Sequence, residues 1–211
     1  MTRVKFCGLT RPEDVDCAVS LGVDAIGLVF YEKSPRGVSV ETAIALAARI
    51  PAFVTRVGLF VDADSGWIRD VAAAVRLNLV QLHGTETPEA CEALGLPYIK
   101  AFRVRPTLDL GKWMPAYTSA SGVLLDAYRP GVPGGTGAQF DWSLVPETTQ
   151  PIILAGGLTP ENVGPAVSQV TPWAVDVSGG IESLPGVKDP DKMERFLAAC
   201  HTKRDETWLK P

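Results

Sequence analysis

The chain has 211 residues, 46% hydrophobic and 21% charged, with 24 acidic residues against 20 basic ones. That composition suits one large soluble globular domain with apolar surface enough for a core, and the acidic balance excludes the electrostatic footprint of a nucleic-acid binder, so any phosphate must be held locally. Four cysteines in no paired spacing, Cys7, Cys17, Cys91 and Cys200, exclude a C-x-x-C dithiol, a zinc cluster and a secreted disulfide framework, and point to a reducing cytoplasm. No basic stretch leads into an apolar segment at the N-terminus, and no apolar run approaches the length of a membrane span. The mature chain is therefore expected to begin at Met1 and to stay off membranes.

Short β-rich runs alternate with helix-like runs from end to end, without a Ser-rich linker or a low-complexity stretch. In chain order, strands are expected at 4–7, 25–30, 56–61, 79–83, 98–102, 123–126, 152–155 and 174–178. Helices are expected between them at 12–21, 40–50, 65–76, 88–94 and 160–169, several opening with Pro at the first helical position. Thr10, Thr87 and Thr159 read as N-caps or as residues next to them. Eight βα units in so short a chain are the pattern of an α/β protein folded as a single (β/α)8 TIM barrel with short loops. A doubly wound open sheet would also alternate strand and helix, but it favours a G-x-G-x-x-G turn after its first strand, and Cys7-Gly8-Leu9-Thr10 is not one. The expected domain covers 1–201, leaving 202–211 as a polar tail around Trp208 and Leu209.

In such a barrel the chemistry collects where strands end, so polar residues there come first. Cys7 ends the first strand and shares a face with Lys5, because side chains alternate with period two. It reads either as a small buried hydrophobe or as a working thiol whose ionisation a nearby ammonium favours. Strand four places Gln81 and His83 on one face, and His83 either binds or caps. Asp126 follows three hydrophobic residues at the end of strand six, where desolvation would raise its pKa toward a range useful for an acid, unless it is a solvated loop cap. Asp176 and Ser178 share a face of strand eight, and an inward Asp176 needs a partner, for which Lys5 on the neighbouring first strand is suited. Glycines then cluster after the last three strands, at Gly134-Gly135-Thr136-Gly137, Gly156-Gly157 and Gly179-Gly180. Tight turns account for any one of these; together they let backbone N–H groups converge on one anion.

Lys5-Phe6-Cys7-Gly8, Ser34-Pro35-Arg36, Gln81-Leu82-His83-Gly84, Leu125-Asp126, Gly134-Gly135-Thr136-Gly137, Ala155-Gly156-Gly157-Leu158-Thr159-Pro160, Asp176-Val177-Ser178 and Gly186-Val187-Lys188-Asp189 follow one another in this order. Together they resemble the N-(5'-phosphoribosyl)anthranilate isomerases of tryptophan biosynthesis over nearly the whole chain. One departure is Ser178-Gly179-Gly180-Ile181-Glu182, where that family commonly has Ser-Ser-Gly-Val-Glu. The resemblance implies an Amadori rearrangement of a phosphorylated small molecule, needing no cofactor and no metal, with Asp126 as general acid and Cys7 as general base. It puts the phosphate on Gly135, Gly137, Gly156, Gly157, Ser178, Gly179 and Gly180. Arg36, in a loop stiffened by Pro35, suits the anthranilate carboxylate as a forked guanidinium. Lys5, His83 and Asp176 complete the expected substrate-binding set.

An ordinary thiol is only a few per cent ionised at pH 7 and an ordinary aspartate holds almost no proton. The reading therefore expects Lys5 to push Cys7 down and burial to push Asp126 up. Two other functions compete: a histidine-pathway isomerase or bifunctional relative, which typically uses aspartate as base, and a non-catalytic phosphosugar-binding barrel. A monomer and a homodimer are equally compatible with the sequence.

Overall fold

A computed structural model describes residues 1–105, 107–127 and 141–201. Eight parallel strands close into a barrel in sequence order, with β1 hydrogen-bonded to both β2 and β8. They are β1 (Arg3–Cys7), β2 (Ala25–Val29), β3 (Thr55–Phe60), β4 (Leu79–Leu82), β5 (Tyr98–Val104), β6 (Gly122–Ala127), β7 (Ile152–Leu154) and β8 (Ala174–Val177). Every strand expected from the sequence is present. The helices are α1 (Pro12–Ser20), α2 (Val40–Ala47), α3 (Ser65–Val75), α4 (Pro88–Ala93), α5 (Leu110–Trp113), α6 (Val163–Val170) and α7 (Pro190–His201). A small antiparallel hairpin, β9 (Glu182–Leu184) and β10 (Val187–Lys188), lies between β8 and α7. No helix of the described residues is long and apolar enough to cross a membrane.

Strand alternation produces two cores. One face of each strand turns outward, so Val4, Phe6, Ile26, Leu28, Phe60, Val80, Leu82, Val123, Leu125, Leu154 and Val175 pack in the main cluster with helix residues such as Val15, Leu46, Ile68, Val71 and Phe196. The other face forms a smaller cluster of Ile99, Ala101, Leu124, Ile153, Ala155 and Ala174. Continuing that second parity toward the C-terminal strand ends leads from Ile99 and Ala101 to Arg103, from Leu124 to Asp126, and from Ala174 to Asp176 and Ser178. The barrel is therefore plugged with apolar side chains below and polar at its mouth.

Cap chemistry departs from the sequence reading at one of three threonines, Thr159. Thr87 does cap α4, its hydroxyl accepting from the Ala90 N–H at 3.3 Å. Thr10 stands next to the N-cap of α1, Arg11, which makes no side-chain cap bond, and donates to the Gly186 carbonyl at 2.6 Å. The helix expected from residue 160 begins at Val163. Asn162 accepts from the Thr159 N–H and donates to the Gly157 carbonyl, both at 2.8 Å, closing residues 157–162 into a turn ahead of α6. Helices α5 and α7 were not among those expected from the sequence, although Met193, Phe196, Leu197 and Cys200 bury one face of α7 at helical spacing. Gly135 and Gly137, with the rest of their glycine cluster, and the tail at 202–211 lie outside the described residues.

Candidate active site

A cavity at the C-terminal ends of the strands is lined by Cys7, Arg36, Gln81, His83, Arg103, Asp126, Gly156, Gly157, Asp176, Ser178, Gly179 and Gly180, among others. The structure thus gathers most of the sequence-derived candidates around one space. Lys5 is the exception among the described ones: it does not line the cavity but sits beneath, its Nζ 2.8 Å from Asp176 Oδ1. That pairing satisfies the inward Asp176 as expected. Of the four cysteines only Cys7 reaches the cavity. Burial pushes Cys91 up to about 11 and Cys200 up to about 12, and both pack in the main core.

Cys7 is 4% exposed and stands in register with Gly27 of β2. A methyl group at Gly27 would lie 2.8 Å from Cys7 Sγ and 3.0 Å from Lys5 Nζ, so the missing side chain is what makes room for thiol and ammonium together. The expected downward shift of Cys7 is overturned. Burial pushes the thiol above its ordinary value and Asp176 adds to that, outweighing the opposing pull of Lys5 and of Lys188. Lys5 itself is opposed by burial, yet Asp176 and Cys7 together hold it above the ordinary lysine value.

Asp126 is 7% exposed, on the inward face of β6. His83 Nε2 lies 3.3 Å from its Oδ2, within ion-pair reach though not aligned as a hydrogen bond. Gln81, fully buried, approaches the other ring nitrogen of His83 with its amide nitrogen at 3.0 Å. With the Gln81 amide donating to Nδ1, the ring proton is assigned to Nε2, the edge that faces Asp126. Gly156 crowds the same carboxylate: it has φ +82, and a side chain there would meet the Ala127 nitrogen at 2.2 Å and Asp126 Oδ1 at 2.9 Å. Only glycine lets this loop run so close past the acid.

Arg36 does not project as a free cation. Its Nε and Nη2 fork onto Glu182 at 2.7 and 2.6 Å, leaving Nη1 outside the fork. Glu182 also accepts from Lys188 Nζ at 2.8 Å. Lys188, 1% exposed, donates in addition to the Cys7 carbonyl at 2.7 Å and the Ser178 carbonyl at 3.2 Å, and so ties together the ends of β1, β8 and the hairpin. Burial opposes the charge on Glu182, but Arg36 and Lys188 hold its carboxyl below the usual range. The Glu182 hydrogen bond in turn raises Arg36. Lys188 is pushed down by burial, against the pull of Glu182.

Known proteins of one family resemble the chain over nearly its whole length. The family model for N-(5'-phosphoribosyl)anthranilate isomerase matches residues 4–199. The chain belongs to that family. It is 56% identical to the N-(5'-phosphoribosyl)anthranilate isomerase of Cellvibrio japonicus over 93% of this chain and 92% of the relative. Against the enzyme of Azotobacter vinelandii it is also 56% identical, over 92% and 95%. The crystal structure of the Thermotoga maritima phosphoribosyl anthranilate isomerase superposes with a TM-score of 0.86 at 42% identity, covering 95% of this chain and 98% of that one. A structure of a phosphoribosyl anthranilate isomerase in complex with reduced 1-(o-carboxyphenylamino)-1-deoxyribulose 5-phosphate matches with a TM-score of 0.81 at 39% identity, over 95% and 98% of the two chains.

Three residues of this phosphoribosylanthranilate isomerase fold were not singled out by the sequence reading: Glu182, Lys188 and Arg103. Strand parity carried forward from Ile99 and Ala101 would have found Arg103. Lys188 lay within the Gly186-Val187-Lys188-Asp189 motif but was given no role, because it sits in a two-residue strand whose orientation only the closed hairpin defines.

Proposed function

We propose that this chain is a phosphoribosylanthranilate isomerase, catalysing the Amadori rearrangement of N-(5-phospho-D-ribosyl)anthranilate to 1-(2-carboxyphenylamino)-1-deoxy-D-ribulose 5-phosphate in L-tryptophan biosynthesis. The observation that carries the reading is the joint presence, in one cavity, of a cysteine on β1, a buried aspartate on β6 and paired glycines after β7 and β8. Fold alone would not support it, since barrels host many chemistries.

The reaction needs one proton delivered and one removed. In this reading Asp126 protonates the ribose ring oxygen, the ring opens to a cationic imine, and Cys7 removes the C2' proton to give an enolamine that tautomerises to the ketose. His83, whose ring faces Asp126, positions the acid. Cys7, buried and raised, is mostly thiol in the free protein. The reacting form carries Cys7 as the thiolate, its proton having passed to solvent, and the iminium cation at C1', beside the carbon that loses its proton, stabilises that thiolate. Gly156, Gly157, Ser178, Gly179 and Gly180 hold the phosphate through backbone N–H groups, with Gly135 and Gly137 assigned to the same anion. Gly179, in place of the family's usual serine, leaves a backbone donor and removes a hydroxyl. Arg36 takes the anthranilate carboxylate through the edge that Glu182 leaves open. Lys5 and Asp176 act from beneath, on the thiol.

Complementation tests the assignment. The gene should restore growth without tryptophan to a strain lacking this isomerase and should leave a strain lacking the corresponding histidine-pathway isomerase dependent on histidine; rescue of the second strain alone would overturn the substrate. One structure of the Thermotoga maritima protein describes monomers generated from a dimeric isomerase. Sedimentation velocity distinguishes monomer from homodimer for this chain.

A further inference from the structure

Arg103, the last inward-facing residue of β5, lines the cavity and stands in register with Asp126 on β6. Its Nε is buried without a hydrogen-bond partner, and no ion pair joins it to a carboxylate among the described residues. The other charges around the cavity are engaged. Arg36 is forked by Glu182, Asp176 is bound by Lys5, and Asp126 faces His83. A guanidinium partly out of water with no ion pair among the described residues is costly to keep, and its five fixed donors suit a planar carboxylate. The cavity therefore contains an anion subsite that no described residue fills.

Ribose connectivity indicates which anion fills it. If Asp126 on β6 reaches the ring oxygen and Cys7 on β1 reaches C2', the phosphate arm on C4' lies along the arc through β7 and β8, where the glycine pairs stand. The substituent on C1', bonded to both the ring oxygen and C2', then leaves on the opposite arc, from β2 round to β5. Arg36 follows β2 and Arg103 is the last inward-facing residue of β5, so the aromatic ring enters between them. We propose that Arg103 is a substrate-binding residue that pairs with the anthranilate carboxylate and, with the half-neutralised Arg36, selects a carboxylated aryl amine over an uncharged one. This rests on the isomerase reading above.

Binding of two reduced product analogues separates the possibilities: reduced 1-(o-carboxyphenylamino)-1-deoxyribulose 5-phosphate and its aniline-derived counterpart, identical except for the missing carboxylate. Calorimetry on the wild type, Arg103→Met and Arg103→Gln supplies the affinities. Because no described residue forms an ion pair with Arg103, neither substitution should lower the unfolding temperature appreciably, and the Gln variant guards against a Met-specific packing defect. Both variants should bind the carboxylated analogue about tenfold or more weaker than the wild type, the scale of one charge-assisted contact. Each should bind the aniline analogue within about twofold of the wild type. Equal weakening of both analogues would place Arg103 on the phosphate or the ring and overturn the proposal, as would unchanged affinity for both. A wild type that binds neither analogue and does not turn over the substrate would instead overturn the isomerase reading itself.

Discussion

Replacing Gly27 with alanine tests whether the position of the thiol governs turnover. The new methyl carbon would lie 2.8 Å from Cys7 Sγ, 3.0 Å from Lys5 Nζ and 3.1 Å from Cys7 Cα, whereas ordinary contact begins at 3.4 Å. The thiol must therefore retreat by about 0.6 Å. It cannot do so freely, because Lys5 is held by Asp176 at 2.8 Å and the Cys7 carbonyl by Lys188 at 2.7 Å. Overpacking of this kind costs about 1–3 kcal/mol of stability, which for a domain of this size is roughly 2–10 °C in Tm. A displacement approaching 1 Å at a reacting group costs up to about a hundredfold in rate, so kcat should fall roughly ten- to a hundredfold while KM, set by the phosphate and carboxylate contacts, moves less than about threefold. Steady-state kinetics and thermal unfolding on Gly27→Ala supply both readouts. A lowered Tm with wild-type kcat would show that thiol placement does not govern the reaction; no change in either would refute the close approach.

Cys7→Ala and Asp126→Asn should each lower kcat by at least about a hundredfold, the usual scale for a general base or acid, while retaining affinity for a product analogue; near wild-type turnover in single-turnover assays sinks the assignment. Arg36→Met should act mainly by raising KM, and an unchanged KM refutes its carboxylate role. Since burial holds Cys7 above the ordinary thiol value, inactivation of the free enzyme by iodoacetamide should be slow at neutral pH and accelerate into the alkaline range as the thiolate fraction grows; an inactivation rate already flat below pH 7 contradicts the raised thiol.

The barrel was legible because its signal is repetitive. Eight apolar runs at short intervals, each followed by a helical pattern, leave little choice of topology, and strand parity alone places Cys7, Gln81, His83, Asp126 and Asp176 inward. Boundaries set by side-chain capping were less legible. Thr159 and Asn162 both offer cap chemistry, and only the approach of the Gly157 carbonyl to the Asn162 amide decides that the helix waits until Val163. The partners of Arg36 were out of reach for a similar reason. A forked guanidinium suits a protein carboxylate as well as a substrate's, and Glu182, 146 positions away, is brought to it by the turn between β8 and the hairpin.

The thiol shows where the limit lies. Lys5 and Cys7 share a face by period two, so an ammonium close to the sulfur follows from the sequence, and the direction of its pull is right. Which effect wins does not follow, because it depends on how much water remains and on what else the ammonium holds. In the barrel almost none remains at Cys7, and the Lys5 charge is shared with Asp176, whose carboxylate itself opposes thiolate formation. Lys5 and Asp176 together bring almost no net charge to the sulfur, and desolvation prevails. A base kept protonated in this way is a poor nucleophile toward stray electrophiles at rest. Once the thiol has lost its proton to solvent, the cation made by opening the ring stabilises the thiolate, so the acid step at Asp126 precedes and assists the base step at Cys7.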